Sequence, residues 1–199
     1  LDPLRAEVLA ALAAEGTDLR TAPTRRALDR YDGVLYRELD AGSLPVEARR
    51  RLGRTVLVAD GLLGVVASAD PVPDHRVRTA DRVAGLGRLA GFWRPHVTAA
   101  LAERLERRVV WDLWPQEHSA AWDPRAVPMA GRIRVRFVDG SGRTVSHWNK
   151  LLKGALVRHL VETGLDDPDG LRTFTHPAGY RYDPDATTTD GVTDVTFRA

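Results

Sequence analysis

Cysteine is absent from the 199 residues, which excludes disulfides, thiolate-bound zinc, cysteine-ligated iron–sulfur clusters and a cysteine nucleophile. Long apolar runs are absent too. Crossing a bilayer takes ~20 consecutive apolar residues. The longest candidate, 55–69, is interrupted by Asp60, Gly61 and Gly64. The opening stretch LDPLRAEVLAALAAEG carries acids where a secretory leader needs cations, so a cytoplasmic location without membrane attachment is expected. The histidines (His75, His96, His118, His147, His159 and His176) form no H-x-x-x-H or H-x-E-x-H pattern, and there is no EF-hand or Walker sequence. No metal site is therefore assigned. Ser68, Ser119 and Ser146 lack a nucleophile-elbow context. GLGRLAG at 85–91 lacks the spacing and lysine of a phosphate loop and reads as a turn into a helix. Neither internal repeats nor low-complexity stretches are present.

What is present is an ordinary globular composition, 43% hydrophobic and 28% charged, with a formal net charge of +2. At this length a single domain over 1–199 is expected, acting as a monomer and burying roughly two-thirds of its unfolded surface. Asp2-Pro3 opens a helix whose stripe is Leu4, Val8 and Leu12, with Gly16 as its stop. TRRALDRY reads as a short helix, and 43–52 as another, capped by Ser43 and ended by Gly53. TVLVA at 55–59 and VVWDL at 109–113 have the β-branched density of buried strands. Prolines and glycines between 70 and 87 predict an ordered irregular loop. The helical pattern 89–105 contains Pro95, which should restart or kink it. Ile133, Val135 and Phe137 alternate with Arg132, Arg134 and Arg136, a strand with one wet face. DGSG then predicts a hairpin with 143–147 returning. The pattern 148–163 is the clearest helix, and Asp167-Pro168 caps a short one. GYRYDP and DVTFRA read as closing edge strands. Strands and helices intermix, so the expected class is α/β or α+β, with a central mixed sheet flanked by helices.

Charge is concentrated. From 132 to 158 there are seven cations (Arg132, Arg134, Arg136, Arg143, Lys150, Lys153, Arg158) against one acid, Asp139; from 162 to 199 there are eight acids and three arginines. That asymmetry predicts a local anion-attracting site. At 100° per residue, His147, Lys150, Gly154 and Arg158 share an ~80° arc of one helix face, with Lys153 ~60° beyond Lys150. A glycine among cations admits a phosphate, a carboxylate or another backbone. A solvated cationic face, with Gly154 serving only close packing, fits the same pattern.

Several separated segments, in order, resemble the peroxide stress protein YaaA family. APTRRALDRYDGVLYRELD is similar to its Tyr-x-Gly-x-x-Tyr segment, here Tyr31, Gly33 and Tyr36. VLVADGLLGVVASADPVPDHRV resembles its strand, leucine–glycine turn and P-x-D-x-I-P-x-Y-R-L stretch. FWRPHVTAAL and VVWDLWPQEHSAAW resemble its tryptophan-containing helix and its strand ending in Asp-Leu before a Glu-Tyr pair. SHWNKLLKGALVRHLVE resembles its S-x-x-A-K-x-x-R-G-x-x-A-R helix, and GYRYDPDATTTDGVTDVTFRA its ending. This chain departs at His75 and His118, where the family has tyrosine, at Asn149 for alanine, and at Lys153 for arginine. The family's N-terminal strand lies outside this numbering. The resemblance implies protection from hydrogen peroxide damage by limiting free iron, with DNA binding in a positively charged cleft. It names no cofactor.

These residues suit two function classes. In the first, Arg76, His147, Lys150, Lys153 and Arg158, with Trp114 as a stacking surface, bind an anionic small molecule or a nucleic-acid backbone. About five phosphate-neutralising cations would give a log–log salt slope of about −4 to −5. In the second, the chain is an enzyme acting on a small anionic or nucleobase-like substrate. There His118, Glu117, Asp112 and His75 supply acid–base chemistry from loops at the ends of strands. Packing or surface roles for each of these residues fit the sequence as well.

Overall fold

Apolar spacing places most of the helices seen in the structure, a computed structural model. It describes residues 1–144, 146–165 and 167–199, with the side chains of Ser146 and His147 outside the description. In chain order the elements are α1 (Asp2–Ala14), β1 (Thr24–Arg26), α2 (Ala27–Arg30), α3 (Val34–Leu39), α4 (Val46–Thr55), β2 (Leu57–Asp60), β3 (Gly64–Ala67) and β4 (Pro71–Pro73). Next come β5 (Arg82–Val83), β6 (Gly87–Arg88), α5 (Leu89–Leu105), β7 (Val109–Asp112), α6 (Gln116–Ser119), β8 (Gly131–Val138), α7 (Ser146–Thr163), β9 (Arg181–Asp190) and β10 (Val192–Arg198). The class is mixed α/β. The residues gather into two compact units: Leu1–Arg30 with Val56–Arg107 and Trp114–Met129, and Tyr31–Thr55 with Arg108–Leu113 and Ala130–Ala199.

The first unit is built on short antiparallel pairs, β1 with β4, β2 with β3, and β5 with β6. Its centre is Trp93, fully buried on α5, whose Nε1 donates to the Gly61 carbonyl at 2.9 Å. Val8 and Leu12 of the predicted α1 stripe are buried. The region 70–87 is less irregular than its prolines suggest. Val72 is fully buried, and Pro71–Pro73 pairs with a strand over Thr24–Arg26, where a helix was expected. Helix α5 runs unbroken through Pro95. Proline removes one N–H, which leaves the carbonyl four residues earlier to solvent. Here that residue is Gly91, which is exposed.

The second unit holds a four-stranded mixed sheet in the order β7-β8-β10-β9. β7 and β10 flank β8 in parallel, and β9 runs antiparallel to β10. The tail DVTFRA is thus an interior strand, not an edge, which its buried Val195, Thr196 and Phe197 explain. Ile133, Val135 and Phe137 of β8 pack with Val195 and Phe197 against Leu152 and Leu156 of α7. The expected hairpin after β8 forms as a turn without an extended return among the described residues, the Asp139 amide donating to the Arg143 carbonyl at 3.0 Å. Asp139 Oδ1 accepts from the Ser141 and Arg143 amides, so the chain turns tightly. Thr144 makes a single bridge to Val138, and α7 already begins at Ser146. Helix α4 starts at Val46 instead of Ser43, because Leu44 is extended ahead of Pro45, and it continues past Gly53 to Thr55. Asp167 caps its 3-10 turn as expected, accepting from the Asp169 and Gly170 amides.

Candidate functional site

In the first unit the functional side chains are positioned by the turn at the end of strand β2. Asp60 ends that strand, and its carboxylate is 2% exposed. Oδ1 accepts the Leu62 and Leu63 amides at 2.8 and 2.7 Å, closing the turn into β3. Oδ2 lies 3.1 Å from His75 Nε2. The Val77 amide donates to His75 Nδ1 at 3.2 Å, so Nδ1 bears the lone pair and Nε2 the proton given to Asp60. Both ring nitrogens of His75 are therefore committed to holding the loop. Gly61 tightens the same knot: a Cβ there would lie 2.5 Å from the Val77 carbonyl oxygen and 2.8 Å from the Thr79 nitrogen. Sequence reasoning passed over Asp60, reading it as an interruption of an apolar run. The signal was an Asp-Gly step directly after a buried strand.

The same loop reaches His118. Thr79, 1% exposed, has its hydroxyl 2.6 Å from His118 Nδ1. That bond orients the ring, with the tautomer deciding which partner donates. The structure thus joins the His75 loop to the 114–118 loop through Thr79, a residue the sequence did not single out. Arg76 and Glu117 are exposed. Trp114 is half-buried, donates Nε1 to the Leu57 carbonyl at 3.4 Å and meets Trp122 edge-on at 5.8 Å. It is held by packing on one side at least.

In the second unit the arginines of β8 are answered by acids on neighbouring strands. Arg132 grips Asp112 of β7 through Nε and Nη2 at 3.0 and 2.5 Å, and that carboxylate is 5% exposed. Arg134 makes a two-pronged pair with Asp194 of β10 at 2.7 and 2.5 Å. Asp194 holds the Arg134 guanidinium above its already high ordinary pKa, chiefly through the hydrogen bond. Arg136, exposed, donates to the neutral Thr196 hydroxyl at 3.1 Å.

Helix α7 divides its predicted face. Arg158 caps α3: Nη1 donates to the Leu39 and Asp40 carbonyls at 3.0 and 3.1 Å, and Nη2 pairs with Glu162 at 3.0 Å. A Cβ on Gly154 would stand 2.2 Å from the Leu35 carbonyl oxygen, so the gap beside these cations is filled by α3. Close packing, against a helix instead of a strand, accounts for that glycine. Lys150 and Lys153 are the chain's only lysines. Lys153 is half-buried and donates Nζ to the Leu113 carbonyl at 2.9 Å. Burial pushes its ammonium below the usual lysine range, with the Asp112 charge opposing that shift. Lys150 is exposed. His147, predicted on this face, has its side chain outside the described residues. Asp112, Lys153, Lys150 and Arg158 thus share one unit, while His75, Arg76, Trp114, Glu117 and His118 share the other. Among the described residues no three His, Asp or Glu side chains gather to hold a metal ion, and no helix is long and apolar enough to cross a membrane.

The family model described as peroxide stress protein YaaA matches residues 3–186. A UPF0246 protein of Streptomyces coelicolor is 37% identical over 186 residues, which are 92% of this chain and 70% of that protein. One from Cereibacter sphaeroides is 30% identical over 165 residues, 79% of this chain and 64% of its own length. One from Corynebacterium glutamicum is 35% identical over 150 residues, 72% of this chain and 57% of its own length. The chain therefore spans less than two thirds of the latter two relatives.

Proposed function

The chain belongs to the peroxide stress protein YaaA family, and from that premise we propose that it serves the peroxide stress response by binding an anionic ligand or DNA. In this reading it acts in the cytoplasm as a monomer, and the contact is made by the second unit. One observation carries the reading: Lys150 and Arg136 are exposed with no carboxylate partner among the described residues, whereas Arg132, Arg134 and Arg158 of the same block pair with acids. Such side chains release counterions on meeting phosphate. An anion beside Lys153 would oppose the desolvation that lowers its pKa. The experiment is duplex binding by fluorescence anisotropy at low salt. Lys150→Gln and Arg136→Gln should each weaken affinity about 3- to 10-fold, uniformly across sequences, as phosphate contacts do. Unchanged affinity in both variants rules the contact out.

A second reading, acid–base chemistry on a small anionic or nucleobase-like substrate, is favoured by the Thr79–His118 bond. It orients the imidazole through its Nδ1 edge, as a positioned general acid or base requires. His75, clamped at both nitrogens, serves this reading only by holding the loop. The separating outcome is turnover that His118→Gln abolishes while the duplex affinity stays as it was.

A further inference from the structure

The hairpin β5–β6 carries two arginines in an arrangement that nothing above uses. Arg82 and Arg88 are register partners, directly opposite each other across the ladder. Directly opposed residues project from the same face with Cβ atoms about 5 Å apart, and like charges placed so repel. Both side chains are exposed, and neither has an acidic or carbonyl partner among the described residues. The acids beside the hairpin are Asp81 and Glu15, and neither bonds to Arg82 or Arg88 among the described residues. Asp81 holds Arg78 through its amide at 2.8 Å and its Nε at 3.1 Å, and Glu15 accepts the Ala84 amide at 2.6 Å.

The backbone beside the pair is fixed from behind. Leu89 and Ala90, the first residues of α5, donate their amides to the Asp81 and Thr79 carbonyls at 2.9 and 2.8 Å. Gly91, the third, is exposed with nothing within 4 Å of where a Cβ would sit. The first turn of the helix is therefore uncrowded at Gly91, and the two arginines supply the charge beside it.

We infer that Arg82 and Arg88 form a site for a terminal phosphate group, a dianion that bridges the two guanidinia. Two positive charges rooted on one face of the ladder match the charge of a phosphate monoester, near −2 at neutral pH, better than the single charge of a phosphodiester. Each guanidinium offers paired N–H donors to phosphate oxygens. The bound anion removes the repulsion that the empty hairpin carries. This site lies in the first unit and does not depend on the α7 contact proposed above.

The test uses thermal melts of the full chain in phosphate-free buffer, with inorganic phosphate, and with sodium chloride at matched ionic strength. Phosphate should raise the wild-type Tm beyond the salt control. Arg82→Gln and Arg88→Gln should each melt higher than wild type without phosphate and lose most of the phosphate response. Arg25→Gln, at an exposed arginine of β1, should respond like wild type, which shows that the response belongs to the hairpin pair and not to any exposed cation. In a parallel titration of the unmutated chain, inorganic phosphate should shift the arginine Nε–H resonances of Arg82 and Arg88. Equal stabilisation by chloride, a full phosphate response in either hairpin variant, or a lower Tm of both hairpin variants without phosphate overturns the inference. A duplex shifting these resonances where free phosphate does not overturns it in favour of a phosphodiester.

Discussion

At the scale of single residues, burial decides which polar groups hold structure and which remain available. Asp60 shows the first case. A carboxylate sealed from water needs every lone pair met, and two amides and an imidazole meet it. Asp60→Ala leaves those donors unsatisfied, so urea unfolding should show a loss of at least about 3 kcal/mol. Lys153 shows the second case. Its burial favours the neutral amine, so the folded chain holds its proton less tightly than the unfolded chain does. Stability therefore rises with pH between the folded value and the ordinary lysine value of 10.5, and the penalty is full below that window. With only two lysines, an NMR titration of the side-chain signals should show the Lys153 signal titrating below 10.5. A Lys153 value at or above 10.5 would remove the desolvated-lysine element of the account. The chain itself signalled only the Asp60-Gly61 step after a strand and the helix position of Lys153, not their partners. Asp60 and Thr79 acquire meaning only when residues 15 and 39 positions away fold onto them.

At the scale of elements, the sequence was most legible where one periodicity ran unopposed. The α7 stripe and the alternation in β8 both reappear, with Leu152, Leu156, Ile133, Val135 and Phe137 buried as a single layer. Legibility failed where tertiary partners overrode local propensity. TRR is a strand because β4 pairs with it, and DVTFRA is interior because β8 and β9 claim both of its edges. Gly154 was legible only as an alternative, since spacing cannot tell whether a phosphate or a helix fills the gap. Gly154→Ala tests the packing answer. Alanine favours helix by ~1 kcal/mol, but its methyl would meet a backbone carbonyl that cannot move without shifting α3. A net loss of about 1–3 kcal/mol in chemical denaturation is expected, and a stabilised variant would contradict the packing.

At the scale of the whole molecule, the cation-rich block 132–158 is not the free basic surface that its composition suggests. Its charge is answered by Asp112, Asp194, Asp40 and Glu162, which lie between 20 and 118 residues away or within one helical turn. Counting charges along a chain cannot reveal such pairing, because partners from other strands cancel them in space. With a net charge of only +2, long-range attraction of a polyanion is weak, and the proposed binding rests on the few cations left over. The salt dependence of duplex binding by the full chain measures that remainder most directly. Two phosphate-neutralising side chains, Arg136 and Lys150, predict a log–log slope of about −2. A slope of about −4 or steeper would mean that further cations, the paired arginines or Arg82 and Arg88, also engage phosphate, and a flat dependence would mean that no phosphate contact exists.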